Sequence, residues 1–477
     1  MAGENFLLGE MNKNKKTIFI FLSQSVIVKN ILRSGGFDHF KRAGYALVIF
    51  IKCKEIPDYI KKEFSGDNVT LVSIFEDDPV ASKVQKILGA LVSYFFWNDT
   101  SKCYFQYSFH YRDTSRIITT LHILMLRVVS ASLGRFASLR KLVRRFDSYF
   151  FPEKFDFIAR HFDAYKPDLV FSTSITSKID VIFIKEAKRR GIVTVSMPKT
   201  WDTITRTYFH CIPDYFLVQN NILKEQLVKM QDIPEKNIFV VGFPEFDWYA
   251  RKDVLRSREE HCARMGLDPK RPILFFGSQG KWYPHDHGIA DAIYDMIRGK
   301  ELVRECQLLI RPYFMQLGED KFLKYKNMPN AAYDDTHYKS PTFTEGWDPT
   351  TDVMIDFVNT IYHSDIVIVV LSTLALDGAC MDKPIINVLF GSSFAGRKDI
   401  SHEMAATTHY KWIFDTGGTS VAYSPEELKK LINEYLHDPR TKAVERALLR
   451  EQLCYTIDGK SSERMVKAIN DVLFLEA

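Results

Sequence analysis

The sequence predicts an α/β protein of two doubly wound, parallel-sheet domains facing a cleft. Three observations carry this expectation. At 477 residues the chain exceeds one ordinary hydrophobic core. Short apolar runs rich in Val, Ile and Phe alternate with helical patterns, as buried parallel strands require. The alternation comes in two series, parted by a charged passage. The expected organisation is a polar leader over 1–16, a first domain over 17–250, a linker over 251–270 and a second domain over 271–477, with the last helix crossing back.

In chain order, Thr17–Leu22 reads as the first strand. Lys13, Lys15 and Lys16 before this apolar run imitate a signal peptide, but Ser23-Gln24-Ser25 interrupts it and no cleavage pattern follows. Tyr45–Ile51 and Asn68–Ile74 are the next strands, followed by helical patterns over 80–97 and 114–148. Pro167–Ser174 is a strand ending in small polar residues, and Ile179–Arg190 is a helix stopped by Gly191. Ile192–Val195, Tyr215–Val218 and Phe239–Gly242 complete the first series. The second begins after Arg271 and continues through Gln307–Arg311, Asp365–Val370 and Ile385–Leu389. Ser424 caps a helix that has Pro425 in its first position and acids in its first turn. Ser461–Leu475 is the last helix.

Composition excludes several classes. Sixty-four basic and 59 acidic residues leave a charge of +5, too balanced for a dedicated nucleic-acid binder. No run of about 18 uncharged apolar residues is present, so no transmembrane helix is expected. Seven scattered cysteines without metal-binding spacing fit reduced thiols in a cytoplasmic protein.

The segment Ser364–Val388 is the most informative. A buried strand runs into Ser372 and Thr373, then a short helix carrying Asp377, then Lys383-Pro384 and another strand. Free N–H groups and partial positive charge at a helix start suit a diphosphate, and a carboxylate one turn on suits ribose hydroxyls. Such a site belongs at the carboxyl edge of a parallel sheet.

This order of strand, Ser-Thr, acid and Lys-Pro resembles the nucleotide-binding half of the GT-B glycosyltransferase superfamily, whose two domains are Rossmann-like. Leu308-Leu-Ile-Arg-Pro-Tyr is similar to its Arg-Pro-His segment, with Tyr313 in place of His. Val218-Gln-Asn and Ile233–Asp247 resemble the end of its first domain. Trp201-Asp-Thr-Ile-Thr is similar to an element of bacterial surface-polysaccharide (capsule and teichoic-acid-type) transferases. The resemblance covers about residues 165–470 and has Asp377 where Glu is more usual.

The resemblance implies a donor site in the second domain, formed by Gly277, Ser278, Gln279, Arg311, Ser372, Thr373 and Asp377. The small residues of the 277–280 loop would approach phosphate closely, and Arg311 would pair with it. In the cleft, Asp202 is the candidate base, with Trp201, Ser23 and Gln24 on the acceptor side. His285, within His-Asp-His, could serve as base, phosphate donor or metal ligand. Glu76-Asp77-Asp78 reads as a solvated loop.

On a continuous helix, Arg116, Arg127, Lys141 and Arg145 of the 114–148 pattern fall within about 40° of one another. Leu121, Ile123, Leu124, Leu126, Val128 and Val129 are their apolar neighbours. That stripe suits either a solvated face or an anionic membrane.

The expected function is glycosyl transfer from a nucleotide-activated sugar to a surface-glycan or lipid-linked acceptor. Inversion is expected, without a metal or other cofactor, in the cytoplasm at the inner face of the membrane. The alternatives are polyol-phosphate transfer, nucleotide-sugar 2-epimerisation and a non-catalytic role in glycan assembly.

Overall fold

A computed structural model of the chain describes residues 15–75, 96, 98–103, 116–150, 156–206, 208–280, 283, 285–313, 320–336, 347–390 and 404–475. The leader over 1–14, the acidic run 76–78 and nearly all of the 80–97 pattern lie outside the described residues.

The first lobe holds seven strands: β1 (Thr17–Leu22), β2 (Ala46–Lys52), β3 (Val69–Ile74), β4 (Leu169–Ser172), β5 (Val193–Ser196), β6 (Tyr215–Val218) and β7 (Ile238–Val240). They lie in the order β3-β2-β1-β4-β5-β6-β7, each pair parallel. The second lobe holds β8 (Ile273–Gly277), β9 (Gln307–Arg311), β10 (Ala331–Tyr333), β11 (Ile366–Val369), β12 (Ile385–Val388) and β13 (Ser420–Ala422). Their order is β10-β9-β8-β11-β12-β13, again all parallel. Both sheets therefore reverse direction beside their first strand, which opens a crevice between β1 and β4 and another between β8 and β11. The α/β class and the two doubly wound sheets are as the sequence predicts.

The strands form where they do because both faces of each sheet are covered. Every residue of β1, β8, β9, β11 and β12 is buried, so apolar runs replace alternation. β10 and β13, absent from the sequence reading, are three residues long and read Ala-Ala-Tyr and Ser-Val-Ala. Neither offers an apolar run to detect.

Two stretches differ from expectation. The charged passage 251–270 contains a helix, Arg258–Met265, capped by Ser257 and stopped at Gly266 with φ +71°. His261 and Cys262 bury one side of it while its acids face water. The 114–148 pattern is two helices, Arg116–Ser132 and Ala137–Phe150, rather than one. The turn closes so tightly at Gly134 that a Cβ there would stand 2.7 Å from the Ser130 carbonyl oxygen. The continuous alignment of Arg116, Arg127, Lys141 and Arg145 is therefore lost.

The last helix, Ser461–Leu475, leaves the second lobe and packs Met465, Ile469 and Val472 against the β1–β2 side of the first. Its start is held by Asp247, which accepts from the N–H groups of Ser461 (2.9 Å) and Ser462 (2.7 Å). Gly242, at φ +90°, passes beneath; a Cβ would lie 2.4 Å from Ser461 Oγ. All seven cysteines are buried and free.

Candidate functional site

The donor side is built at the carboxyl ends of β8 and β11. Gly277 ends β8 and pairs with Val369 and Arg311. A Cβ on Gly277 would stand 2.2 Å from Leu374 Cδ2, so the Leu374 side chain of the helix Leu374–Cys380 packs directly over this glycine. This packing role differs from the expected close approach to phosphate. The next residues are also committed. Asp286, wholly buried, accepts from Ser278 Oγ (2.8 Å) and from the Gln279 N–H (2.8 Å). The Gly280 N–H donates to Ser278 Oγ at 3.1 Å. The amides expected to cradle phosphate are thus satisfied within the loop. Gln279 instead links the two crevice strands by accepting the Leu371 N–H at 3.1 Å.

Arg311 is buried, ion-paired with the fully buried Asp334, and lies 4.5 Å from the Phe357 ring centroid. It was expected to be open to phosphate; one edge of its guanidinium is already occupied. Its charge still reaches the site and favours ionised Asp377.

Ser372 and Thr373 are where the sequence places them, between β11 and the short helix. Thr373 is exposed and Ser372 half-buried. Ser372 Oγ caps the Leu374 N–H at 3.3 Å, and the Ala375 and Leu376 amides bond back to Ser372 and Thr373 carbonyls. The amides of Ser372 and Thr373 meet no acceptor among the described residues. Asp377, one turn on, accepts from the Tyr249 hydroxyl at 2.6 Å, so one oxygen is taken before any ribose arrives. Burial raises the Asp377 carboxyl above its usual range, against the pull of Tyr249, Lys29 and Arg311.

Across the cleft, Trp201 is buried and packs edge-on against His409 (5.2 Å) and Tyr410 (6.0 Å) of the second lobe. It joins the lobes and does not offer a free face to a sugar. Asp202 is buried, accepts from Thr200 Oγ1 at 2.5 Å and is ion-paired with Arg206. Burial alone would raise its carboxyl, but Arg206, His409 and Thr200 outweigh burial and hold it below the usual range. A carboxylate so paired is a weaker proton acceptor than a free one. Burial lowers its neighbour His409 to about 4.

Ser23 is buried beside Asp180, and Gln24 accepts from Lys199 Nζ at 2.6 Å. Both sit at the β1–β4 crevice. His285 lies in the loop after β8, with its ring 6.1 Å from that of His287. Among the described residues no three His, Cys, Asp or Glu side chains come together as a metal site.

Sequence reading missed Glu245 and Tyr249. Both belong to Gly242-Phe-Pro-Glu-Phe-Asp-Trp-Tyr, where the chain leaves the first lobe. A carboxylate flanked by Phe243 and Phe246 was the available signal. Glu245 Oε1 accepts from Asn30 Nδ2 at 3.2 Å, and burial raises this carboxyl to about 7.

No family model matches the chain, and no curated protein matches it. Solved structures match it in fold over nearly the whole length. A UDP-N-acetylglucosamine 2-epimerase has 12% identity and a TM-score of 0.54 over 95% of both chains. MnaA of S. aureus, solved with UDP, has 11% and 0.53 over 96% of this chain and 97% of its own. The wall teichoic acid polymerase TagF has 10% and 0.52 over 97% and 90%. At such identities the likeness is one of fold: two Rossmann-like lobes in the GT-B arrangement.

Proposed function

We propose that this chain transfers a glycosyl group, with inversion, from a nucleotide-activated sugar to a hydroxyl of a surface-glycan or lipid-linked acceptor. One observation carries the reading. The turn at Ser372 and Thr373, with Thr373 exposed, leaves two amides without an acceptor among the described residues at the β8–β11 crevice. There the donor diphosphate would be held by those amides, the helix start and the charge of Arg311, without a metal. His285, on the neighbouring loop, would approach the same phosphates.

The acceptor would lie against the first lobe, beside Gln24 and Lys199. A membrane role for the helices Arg116–Ser132 and Ala137–Phe150 fits this reading. Ile117, Leu121, Leu124 and Val128 form one exposed stripe, and Leu142, Phe146 and Tyr149 another. Arg127, Arg135, Lys141 and Arg145 are exposed among them. The pair is moored to the first lobe by Arg140, ion-paired with Asp232, and by Arg144, which donates to the Gln231 carbonyl at 2.7 Å. Among the described residues no helix is long and apolar enough to cross a membrane, so the contact would be with one surface.

The likeness to TagF and to 2-epimerases keeps two other chemistries in view. Incubation with UDP-, GDP-, dTDP-, CMP- and CDP-linked compounds separates them by product. Glycosyl transfer from a nucleoside-diphosphate sugar releases the diphosphate, polyol-phosphate transfer from a CDP-polyol releases CMP, and epimerisation changes the sugar without requiring net release. Nucleoside diphosphate formed in step with glycosylated acceptor is the expected result. An altered sugar that stays linked to its nucleotide would replace this reading with epimerisation.

A further inference from the structure

We infer that a cavity at the amino edge of the second sheet binds a small phosphate monoester carrying a planar ring, at a site separate from the donor crevice. The cavity has a volume of about 250 Å³. That is far above the roughly 30 Å³ share of one water and close to the lower bound of about 300 Å³ for small-ligand sites. Its walls are the end of the helix His287–Arg298, the turn that follows, and the residues that lead into β8 and β9. Ile297 and Cys306, both buried, and Tyr294 and Leu302, half-buried, line it with apolar surface.

Four cations line the same cavity: Arg271, Arg298, Lys300 and Arg304. Two are committed. Arg271 is paired with Asp268 (3.3 Å) and Glu305 (3.5 Å) and donates to Asn330 Oδ1, and Arg298 is paired with Asp295 (2.9 Å). Lys300 and Arg304 are exposed and meet no carboxylate among the described residues. Basic residues at a helix end ordinarily bond its last carbonyls. Here the carbonyls of Asp295, Met296 and Ile297 already accept from the amides of Gly299 (2.8 Å), Glu301 (3.0 Å) and Lys300 (3.2 Å). The backbone closes this turn on itself with Lys300 in the left-handed region, at φ +54°. The charges of Lys300 and Arg304 are therefore left for a ligand. Among the described residues that line the cavity Glu305 is the single acid, and it already faces Arg271.

This combination sets the ligand class. A phosphate monoester carries a charge of about −1.5 to −2 at neutral pH and matches an ammonium beside a guanidinium. The apolar lining, with the Tyr294 ring in it, suits an aryl group or a nucleobase. The donor crevice lies at the other end of the same strands. Arg271 and Cys306 come just before β8 and β9, and Gly277 and Arg311 end them. A strand of that length spans about 16 Å at roughly 3.3 Å per residue, so ligands at the two ends would not compete.

The test is calorimetric titration of the full chain with phenyl phosphate, UMP and AMP, and with inorganic phosphate as the ringless control. At least one ester should bind the wild type more tightly than inorganic phosphate does. Thr373→Glu, altered at the donor crevice, should bind that ester equally well. Lys300→Glu and Arg304→Glu should each weaken it at least about 10-fold, as loss of a charged hydrogen-bond partner should. Both side chains are exposed, and either variant decides the matter if the other does not fold. Failure of all three esters to bind overturns the site, and so does binding that both charge reversals leave unchanged. Binding that Thr373→Glu abolishes would move the ester to the donor crevice and overturn it too. Inorganic phosphate that binds as tightly as every ester overturns the ring-bearing class. None of these outcomes overturns the glycosyl-transfer reading, which is tested by sugar-nucleotide turnover.

Discussion

Arg33 of the first lobe and Asp348 of the second form an ion pair in which neither side chain has any exposure. A second contact runs from Arg33 Nη2 to Asp348 Oδ2 at 3.2 Å, and Arg33 Nη1 also donates to the Pro349 carbonyl at 3.0 Å. Glu63 takes the other edge of the guanidinium at 2.8 Å, and the Tyr59 hydroxyl donates to Asp348. Burial alone would lower the Arg33 pKa, but Glu63 and Asp348 outweigh it and hold the group charged.

Removing one member of this buried set strands the rest. Arg33→Met should destabilise the protein by about 3–5 kcal/mol in urea unfolding, whereas Arg33→Met with Asp348→Leu should recover part of that loss. A single-variant loss under about 1 kcal/mol would mean that the pair does not hold the lobes together.

Asp180 predicts a pH dependence. It is wholly buried at the start of the helix Lys178–Arg189 and accepts from Ser172 Oγ at 2.6 Å. Burial, partly offset by Ser172, Ser177, Ser174 and Ser23, raises it to about 7. A carboxyl raised in the folded state binds more protons there than in the unfolded chain. Its stabilising effect is therefore full below about pH 4 and is lost as pH rises through about 7. Asp180→Asn, neutral at every pH, should flatten the decline in stability between those limits, by an amount of order 4 kcal/mol at about 1.4 kcal/mol per pKa unit. Urea midpoints at pH 5 and 7.5 check this; wild type and variant changing in parallel would exclude Asp180 as the source.

The helical pair predicts lipid binding. Vesicles containing phosphatidylglycerol should sediment the protein, and neutral phosphatidylcholine vesicles should do so far less. Lys141→Glu with Arg145→Glu should weaken binding by about 10-fold or more, since each basic residue near an anionic surface is worth about 1 kcal/mol. Binding that ignores both lipid charge and these substitutions would remove the membrane role.

Much of the fold was legible because parallel strands buried on both faces need unbroken apolar runs. β1, β6 and β9, and the last helix, were read from sequence with the observed bounds. β10 and β13 were not, because pairing at a sheet edge recruited three ordinary residues each. The position of the candidate site was also legible, since Ser278, Ser372 and Thr373 all fall at carboxyl strand ends. Their chemistry was less so. Gly277 answers to Leu374, the Gln279 amide to Asp286 and Asp202 to Arg206, and each partner is fixed by tertiary contact or by a helix turn that periodicity does not rank. Glu245 gains its character from burial and from Asn30, more than 200 positions earlier.

The central claim is that the turn at Ser372 and Thr373 grips a diphosphate, and Thr373→Glu tests it most directly. Thr373 is exposed, and a carboxylate at a helix start is compatible with the fold or worth about 0.3–1 kcal/mol to it. Placed where a diphosphate would sit, the same charge should repel it. Calorimetric titration with UDP-, GDP- and dTDP-linked sugars should find one that binds the wild type and binds Thr373→Glu at least about 100-fold more weakly, with melting temperature unchanged or raised. Wild-type affinity in a folded Thr373→Glu would place the nucleotide elsewhere and contradict the account.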